Sequence, residues 1–214
     1  MTRSGCYAAH VAHRPYHHGA LRETLLQAAL GAILETGATG WSLRDLARRA
    51  GVSHAAPAHH FGDKRGLLTA LATEGYRRLA AELEEAWSDT ASFLEVGVAY
   101  VRFATSNRSH FAVMYRPELL HTDDPLLLEA RARSARPLFG PLEELAKDSP
   151  AWNTGDAAIA AWSLVHGLAT LWLNGNLPPA VGADPEATVR RVAAYLFTPL
   201  PRPGVALTPP RGPR

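Results

Sequence analysis

Apolar residues recur at helical spacing along most of the chain, and the first such stretch begins at Gly19. Five of them lie three or four positions apart and fall on one stripe of a helix: Leu21, Leu25, Ala28, Ala29 and Ala32. The pair Thr36-Gly37 predicts the end of this helix, because glycine is common just after a helix C-terminus.

Two short helices with a glycine between them are predicted next. Ser42 is expected to cap the first of them, and Asp45 lies in its first turn, where the helix dipole favours an acid. Gly51 ends this helix, and Ser53 is expected to cap a third helix that runs to about His60. Two helices joined by so short a glycine-containing turn are typical of a helix-turn-helix.

Longer helical stretches follow, and no β alternation of useful length occurs. A fourth helix is predicted to start at Asp63, and further ones near 91–106, 108–116, 124–146, 156–175 and 185–197. The predicted fold class is all-α, with an N-terminal three-helix helix-turn-helix domain and a C-terminal helical bundle. Four parts are expected: a flexible arm over 1–18, the helix-turn-helix domain over 19–66, the helical domain over 67–197 and a flexible Pro-rich tail over 198–214.

Charge is distributed unevenly along the 214 residues, although the net charge is only +2. Residues 1–66 carry eight Lys and Arg against four acids, and the remainder carries fourteen against sixteen. A basic front predicts a polyanionic partner. The single cysteine excludes an intrachain disulfide and favours a reducing cytoplasm. The apolar runs indicate neither a signal peptide nor a membrane span.

The second helix of a helix-turn-helix enters the major groove of DNA and leads with its N-terminal residues. Small side chains there admit close approach to base edges, and an alanine methyl can touch a thymine methyl. Polar and basic side chains nearby can contact phosphates, which positions the protein without specifying sequence. The candidate DNA-binding residues are Ser42, Leu43, Arg44, Ser53, His54, Ala55, Ala56, His59, His60 and Lys64.

Residues 16–72 resemble the TetR family of bacterial transcriptional regulators. The resemblance rests on the pattern of the first helix, on "SLRDLARRAGVS" and on "HFGDKRGLL". It implies a homodimer that binds a palindromic operator in double-stranded DNA and represses transcription. The sequence departs from the family at Ala58, where an aromatic residue is common, and carries Pro57 in the recognition helix. Whether Ala58 weakens DNA binding is left open, since His59 can compensate.

Other functions have weaker support in the sequence. Adjacent pairs such as His17-His18 and His59-His60 point about 100° apart on a helix, so no metal site is predicted. Neither a catalytic triad nor a phosphate-binding glycine loop appears, so no cofactor and no enzymatic activity are expected. Phe61 is expected in the core, whereas His60 either packs beside it or contacts phosphate.

The stretch "AAWSLVHGLATLWLNG" at 160–175 resembles the C-terminal domain of one TetR branch, marked here by Trp162, His166 and Gly167. The family resemblance implies a pocket for a small apolar ligand. Its candidate lining is Phe103, Phe111, Met114, Tyr115, Trp162 and His166. His166 can instead bridge helices or lie at a dimer interface. A regulator or activator that binds DNA constitutively, without an inducer, is the alternative function.

The resemblance also implies that the last two helices pair with their copies in a second subunit. Small or aliphatic residues at helical spacing suit such an interface. The candidates are Ala158, Ala161, Val165, Ala169, Val189, Val192, Ala193 and Leu196. A symmetric dimer can then place two recognition helices about one DNA turn apart, roughly 34–36 Å.

Overall fold

The computed structural model describes residues 18–146 and 153–197. Within these ranges the chain forms nine α-helices and two short 3₁₀ turns, with no β-strand, which confirms the predicted all-α class. The arm expected at 1–18, except for His18, and the tail expected at 198–214 lie outside the described residues. The chain divides into two compact units, Met1–Lys64 and Arg65–Arg214.

The first unit contains α1 (His18–Thr36), α2 (Leu43–Ala50) and α3 (Ala56–Phe61). Its core is formed by apolar side chains from all three helices and from the connection between α1 and α2. These residues are Leu25, Leu26, Ala29, Ala32, Ile33, Ala38, Trp41, Leu46, Ala47 and Pro57. Helix α1 ends as predicted, because Gly37 adopts a left-handed φ of 76°, which side chains with a Cβ resist.

Helix α2 is bounded by the two residues that the sequence predicted. The Ser42 hydroxyl accepts a hydrogen bond from the Asp45 amide, and the Asp45 carboxylate accepts one from the Ser42 amide, which completes a capping box. Gly51 ends the helix at φ 66°. The Val52 amide then donates to the carbonyl of Ala47 at 3.0 Å, so the turn satisfies a carbonyl that the helix leaves open.

Helix α3 begins later than predicted. Ser53 does not cap it: the helix starts at Ala56, and residues 53–55 form a turn in which the Ser53 carbonyl accepts from the Ala56 amide at 3.0 Å. Pro57 explains this start. It has no amide hydrogen and its φ is fixed near helical values, so it fits in the first turn, where an amide has no partner within the helix.

The second unit contains six helices, and it begins at the second residue of α4. These helices are α4 (Lys64–Thr90), α5 (Phe93–Ser106), α6 (Arg108–Met114), α7 (Pro125–Ala146), α8 (Thr154–Leu173) and α9 (Pro185–Phe197). Helix α5 is central, because it packs against α7, α8 and α9. Tyr100 and Phe103 on α5 are fully buried. This arrangement makes α5 and α8 the two elements from which the inner sites of the unit are built.

Helix α8 is unusually apolar for a helix at the edge of a domain. Asp156 is the only Asp, Glu, Lys or Arg in its 20 residues, and by length and composition alone it could cross a membrane. The sequence argument against a membrane span overlooked this helix. Only 22% of its most apolar 18-residue window is buried, although the helix packs on α5, α7 and α9. An apolar face of α8 is therefore left uncovered by residues 18–146 and 153–197.

Candidate nucleic-acid interface and inner sites

The turn before α3 faces solvent. Ser53, His54 and Ala55 are exposed and Ala56 is half-buried, whereas Pro57 packs into the core. The residues predicted to contact bases thus lie at the surface, in the turn and at the first position of α3. The short side chains of Ser53, Ala55 and Ala56 leave the backbone accessible to a partner, as close approach to a base edge requires.

Three further candidates lie at the N-terminus of α2, and they differ in exposure and in their contacts. Besides accepting in the capping box, the Ser42 hydroxyl donates to Asp45 Oδ2 at 2.6 Å. Hydrogen bonds from Ser42 hold the pKa of the Asp45 carboxyl below its usual value. Arg44 is exposed and Leu43 is half-buried. Arg44 can therefore reach a phosphate directly, whereas Ser42 chiefly fixes the backbone of α2.

A basic cluster at the end of α3 includes one residue that the sequence analysis missed. The rings of His59 and His60 stack at 5.6 Å between centroids, and the Arg22 guanidinium lies 5.4 Å from the Phe61 ring centroid. Phe61 is half-buried, not in the core as expected, and Arg22 covers one of its faces. Arg22 comes from α1, so no local pattern could have placed it beside α3.

Lys64 is held by backbone acceptors. Its Nζ donates to the carbonyl oxygen of Thr39 at 3.0 Å and to that of Trp41 at 2.6 Å, and it lies 4.2 Å from the Trp41 ring centroid. An ammonium group has three donors, so one is left for another partner. The phosphate contact expected of Lys64 stays a prediction, and the structure adds a role in positioning the segment before α2.

In the second unit, four of the six predicted ligand residues come together around Tyr100, which the sequence analysis did not single out. The Tyr100 oxygen lies 2.8 Å from the Tyr115 hydroxyl, 2.9 Å from His166 Nδ1 and 3.3 Å from Trp162 Nε1. Phe111 packs against Tyr115 with 5.2 Å between ring centroids. A hydroxyl has one proton and two lone pairs, so three partners use all of its hydrogen-bonding capacity.

Burial keeps this aromatic cluster uncharged near neutral pH. It raises the pKa of Tyr100 to about 12, raises the pKa of Tyr115 well above 10, and lowers the pKa of His166. The other two predicted ligand residues serve packing. Phe103 is fully buried, and Met114 packs so closely on α4 that a Cβ at Gly75 would lie 2.6 Å from its sulfur.

The predicted dimer residues are largely covered by their own chain. Five of the eight are at most 5% exposed within the second unit: Ala158, Val165, Ala169, Val189 and Ala193. Ala161 and Val192 are half-buried, and the Leu196 side chain lies outside the described part of the structure. The apolar stripe that the sequence identified is thus the inner face of each helix. The outer face of α8 instead presents Ile159 (54% exposed) and Leu171 (44% exposed).

On the outer face of α9, the exposed residues are largely charged. Arg190 forms a bidentate pair with Glu95, and Arg191 donates to the carbonyl of Val181 at 2.7 Å.

Among residues 18–146 and 153–197, no group of three or more His, Cys, Asp and Glu side chains is arranged to hold a metal ion.

A helix-turn-helix with an exposed leading turn, followed by a separate helical unit, defines a DNA-binding regulator. Similarity to known protein families and to a known regulator supports this class of protein. Residues 25–71 match the family of bacterial regulatory proteins named after tetR, and residues 93–196 match the tetracyclin repressor-like C-terminal domain. The HTH-type transcriptional regulator BetI of Burkholderia thailandensis is 30% identical over 164 residues, which cover 73% of this chain and 82% of BetI.

Two solved structures share the fold. A protein of unknown function from Rhodococcus sp. RHA1 is 36% identical, with a TM-score of 0.71 over 86% of this chain and 97% of that one. The TetR-family regulator PfmR from Thermus thermophilus is 22% identical, with a TM-score of 0.66 over 83% of this chain and 99% of that one. The chain belongs to the TetR family: it is a DNA-binding transcriptional regulator and not an enzyme.

Proposed function

We propose that this regulator is a cytoplasmic homodimeric repressor that binds a palindromic operator and is released by a small molecule. The observation that carries the proposal is the exposed turn of Ser53, His54 and Ala55 in front of α3, with Arg44 and His59 also exposed in the same unit. One such surface per protomer reads one half-site, so two protomers read an inverted repeat.

Selection of bound DNA from a random pool tests this reading. We expect enriched sites to be inverted repeats whose half-sites are centred about one helical turn, or 10–10.5 base pairs, apart. Affinity should fall steeply with salt, because phosphate contacts release counterions. Enrichment of single half-sites, or of no sequence at all, would contradict the proposal.

Transcription in vitro from a promoter that carries the selected site should decrease when the protein is added, whereas an increase would indicate an activator.

The outer face of α8 supports the dimer. Ile159 and Leu171 are exposed there, and Gly167 lies between them on the same side of the helix. A Cβ placed at Gly167 would meet nothing within 4 Å in its own chain. A small residue on an exposed apolar helix face lets a second helix approach closely, so we place the dimer contact there and not on the inner residues first predicted.

Replacing Gly167 by Leu tests this interface. The added Cβ meets nothing within 4 Å and the substitution removes a glycine from a helix, so we expect folding to be retained. Dimerisation should be lost, since the new side chain occupies the space of the partner helix. Gly31→Leu on α1 is the matched control, because a Cβ there also meets nothing within 4 Å. Sedimentation that finds Gly167→Leu as dimeric as the control would refute this interface.

Release by a ligand requires that the ligand bind one conformation more tightly than another. We propose that it favours a conformation whose recognition helices fit the operator less well. The aromatic cluster supports the alternative, a regulator without an inducer. Tyr100 and its partners fill the place predicted for the ligand and satisfy one another's hydrogen-bonding groups. The second unit also contains an open recess among α5, α7, α8 and α9, which supports the ligand-responsive form.

A further inference from the structure

The first unit carries little fixed positive charge for a protein surface that meets DNA. Between residues 18 and 64 there are five Lys and Arg against four Asp and Glu. Two of the five cations already have partners, because Arg49 pairs with Glu35 at 2.7 Å and Lys64 donates to two backbone carbonyls. The same range contains four histidines. Their protonation therefore decides most of the positive charge that this unit can offer to phosphates.

Two of these histidines form a pair at the end of α3. The rings of His59 and His60 stack with 5.6 Å between centroids and 26° between planes. His59 is exposed and His60 is half-buried. Apart from contacts with each other and with Phe61, neither ring has a partner among residues 18–146 and 153–197. Their nitrogen atoms are therefore available to bind a proton and to donate to a partner outside the protein.

The acids of the first unit do not neutralise this pair. The three on α1 and α2 are engaged elsewhere: Glu23 accepts from Gln27, Glu35 pairs with Arg49, and Asp45 closes the capping box. Asp63, which follows α3, forms no ion pair with either ring. The histidine pair thus has no anionic partner within its own unit.

The surrounding cations instead make the pair more positive. The Arg22 guanidinium of α1 lies 5.4 Å from the Phe61 ring centroid, which is 6.3 Å from that of His60. Helix α2, which packs on α3, adds the exposed cations Arg44 and Arg48. Two charged imidazoles in contact also repel each other. In the free protein, every one of these charges opposes protonation of the pair.

A phosphate placed against the pair reverses this preference. It attracts the positive charge of both rings and of the neighbouring arginines, and it accepts hydrogen bonds from ring N–H groups. Histidine is the side chain whose charge ordinarily changes between pH 5 and 8. A change in protonation on binding DNA therefore falls in a range in which the folded protein can be studied.

We propose that the pair of His59 and His60 is a proton-linked phosphate contact, which takes up at least one proton per protomer from solvent when this regulator binds DNA. Affinity for DNA then rises as pH falls, because a proton bound more tightly in the complex raises DNA affinity by the same factor. The inference rests on the proposed placement of this unit on DNA. It does not depend on one operator, since every duplex carries phosphates.

Titration of the full chain with the selected operator at constant salt tests the linkage. We expect affinity to be at least about tenfold higher at pH 6 than at pH 8, the effect of one proton bound about tenfold more tightly in the complex. The slope of log affinity against log salt should steepen by about 0.9 for each imidazolium that meets a phosphate. Affinity that is independent of pH, or that falls at pH 6, would overturn the proposal.

Calorimetry counts the protons directly and needs no variant. Binding at pH 7 is measured in buffers with different enthalpies of ionisation, and the dependence of the observed heat on that enthalpy gives the number of protons exchanged. We expect net uptake in the unaltered protein. Net release, or no exchange, would overturn the proposal. Loss of folded protein in acid would lower affinity, which is opposite in sign to the expected effect.

Two variants of His59, the exposed member of the pair, assign the effect to this site. His59→Gln stays polar and cannot be charged, so it should lose affinity chiefly at pH 6 and reduce the pH dependence at least about threefold. His59→Lys is charged throughout this range, so it should reduce the pH dependence by gaining affinity at pH 8.

His54→Gln is the matched control, because His54 is also exposed in the first unit but lies in the turn before α3, where a base contact is proposed. Whatever its effect on affinity, the pH dependence should be kept. A pH profile left unchanged by both His59 variants, or flattened to the same extent by His54→Gln, would overturn the assignment.

The outcomes separate this inference from the proposed function. An inverted-repeat operator bound equally well at pH 6 and pH 8 refutes the proton linkage alone. If selection finds no operator, a duplex of arbitrary sequence at low salt becomes the probe, because phosphate contacts do not depend on sequence. Tighter binding of that duplex at pH 6 supports the linkage and refutes the palindromic operator. Failure to bind any duplex refutes both.

Discussion

Replacing Lys64 by Met removes an ammonium group that holds the segment from which α2 starts. Lys64 Nζ donates to the carbonyls of Thr39 and Trp41 and lies over the Trp41 ring. These two residues come shortly before Ser42, the N-terminal cap of α2. Methionine keeps most of the apolar stem and removes the charge and all three donors, so the change isolates the ammonium group.

The expected cost follows from these contacts. A hydrogen bond from a charged donor contributes about 1.5–3 kcal/mol, and an exposed cation–π contact about 0.5–1 kcal/mol. Lys64 is half-buried, and water can reach the carbonyls it would leave behind. We therefore expect a loss of about 2 kcal/mol, less than the sum of the general values. Such a loss makes local opening of α2 about 30-fold more frequent.

Native-state hydrogen exchange measures this opening directly. The amides of Leu46 and Ala47 lie in the buried part of α2, and that of Leu46 donates to the Ser42 carbonyl at 3.0 Å. Their protection should fall about 30-fold in Lys64→Met. Unchanged protection would refute the reasoning, because the two carbonyl contacts would then contribute nothing to the stability of this unit.

Arg44→Met is the matched control, because it also removes one cation but from an exposed position on α2. Protection should stay within about 0.5 kcal/mol of the unaltered protein, whereas the slope of log affinity against log salt should fall by about 0.9 if Arg44 meets a phosphate. The slope for Lys64→Met reports separately on its third donor. An unchanged slope would limit Lys64 to positioning, and a fall of about 0.9 would add the predicted phosphate contact.

Three further predictions concern bases, the aromatic cluster and pH. His54→Ala should change the preference at one base position in selected DNA, without the uniform loss across sequences expected of a phosphate contact. Tyr100→Phe should lower the free energy of unfolding by about 1–3 kcal/mol in urea titrations, because it leaves up to three half-buried groups unpaired, and Tyr115→Phe by only about 1 kcal/mol. Burial lowers the pKa of His166, so the unfolded chain binds a proton first as pH falls below about 6.5. Stability should therefore decrease between about pH 7.5 and 5.5, and decrease less in His166→Phe.

Local chemistry predicted the local structure well. Ser42, Gly37 and Gly51 lie where capping rules placed them, because a cap depends on residues within one turn of itself. The start of α3 was wrong for an equally local reason. Ser53 and Pro57 both favour a helix start, and the fixed φ and missing amide of Pro57 decided where it fell.

Contacts between distant parts of the chain were the harder problem. Helical spacing identifies an apolar stripe on α8 and α9 but does not say whether its own chain or a second one covers it. Val165 and Val189 therefore looked like interface residues, although they are buried within the protomer. The sequence around Tyr100 does not indicate that it is the centre of the aromatic cluster, because its partners Tyr115 and His166 are 15 and 66 positions away.

The unusual composition of α8 follows from the number of surfaces that it serves. A helix that is apolar on all sides is normally enclosed by one core. Here Val165 faces the recess and the core, His166 faces the aromatic cluster, and Ile159 faces outward. Gly97 on α5 lets α8 approach closely, since a Cβ there would lie 3.3 Å from Val165 Cγ1. Any shift of α8 against α5 at this contact would also move its outer face, because both belong to the same helix. The inner packing of the second unit and the surface proposed for the dimer therefore share one element.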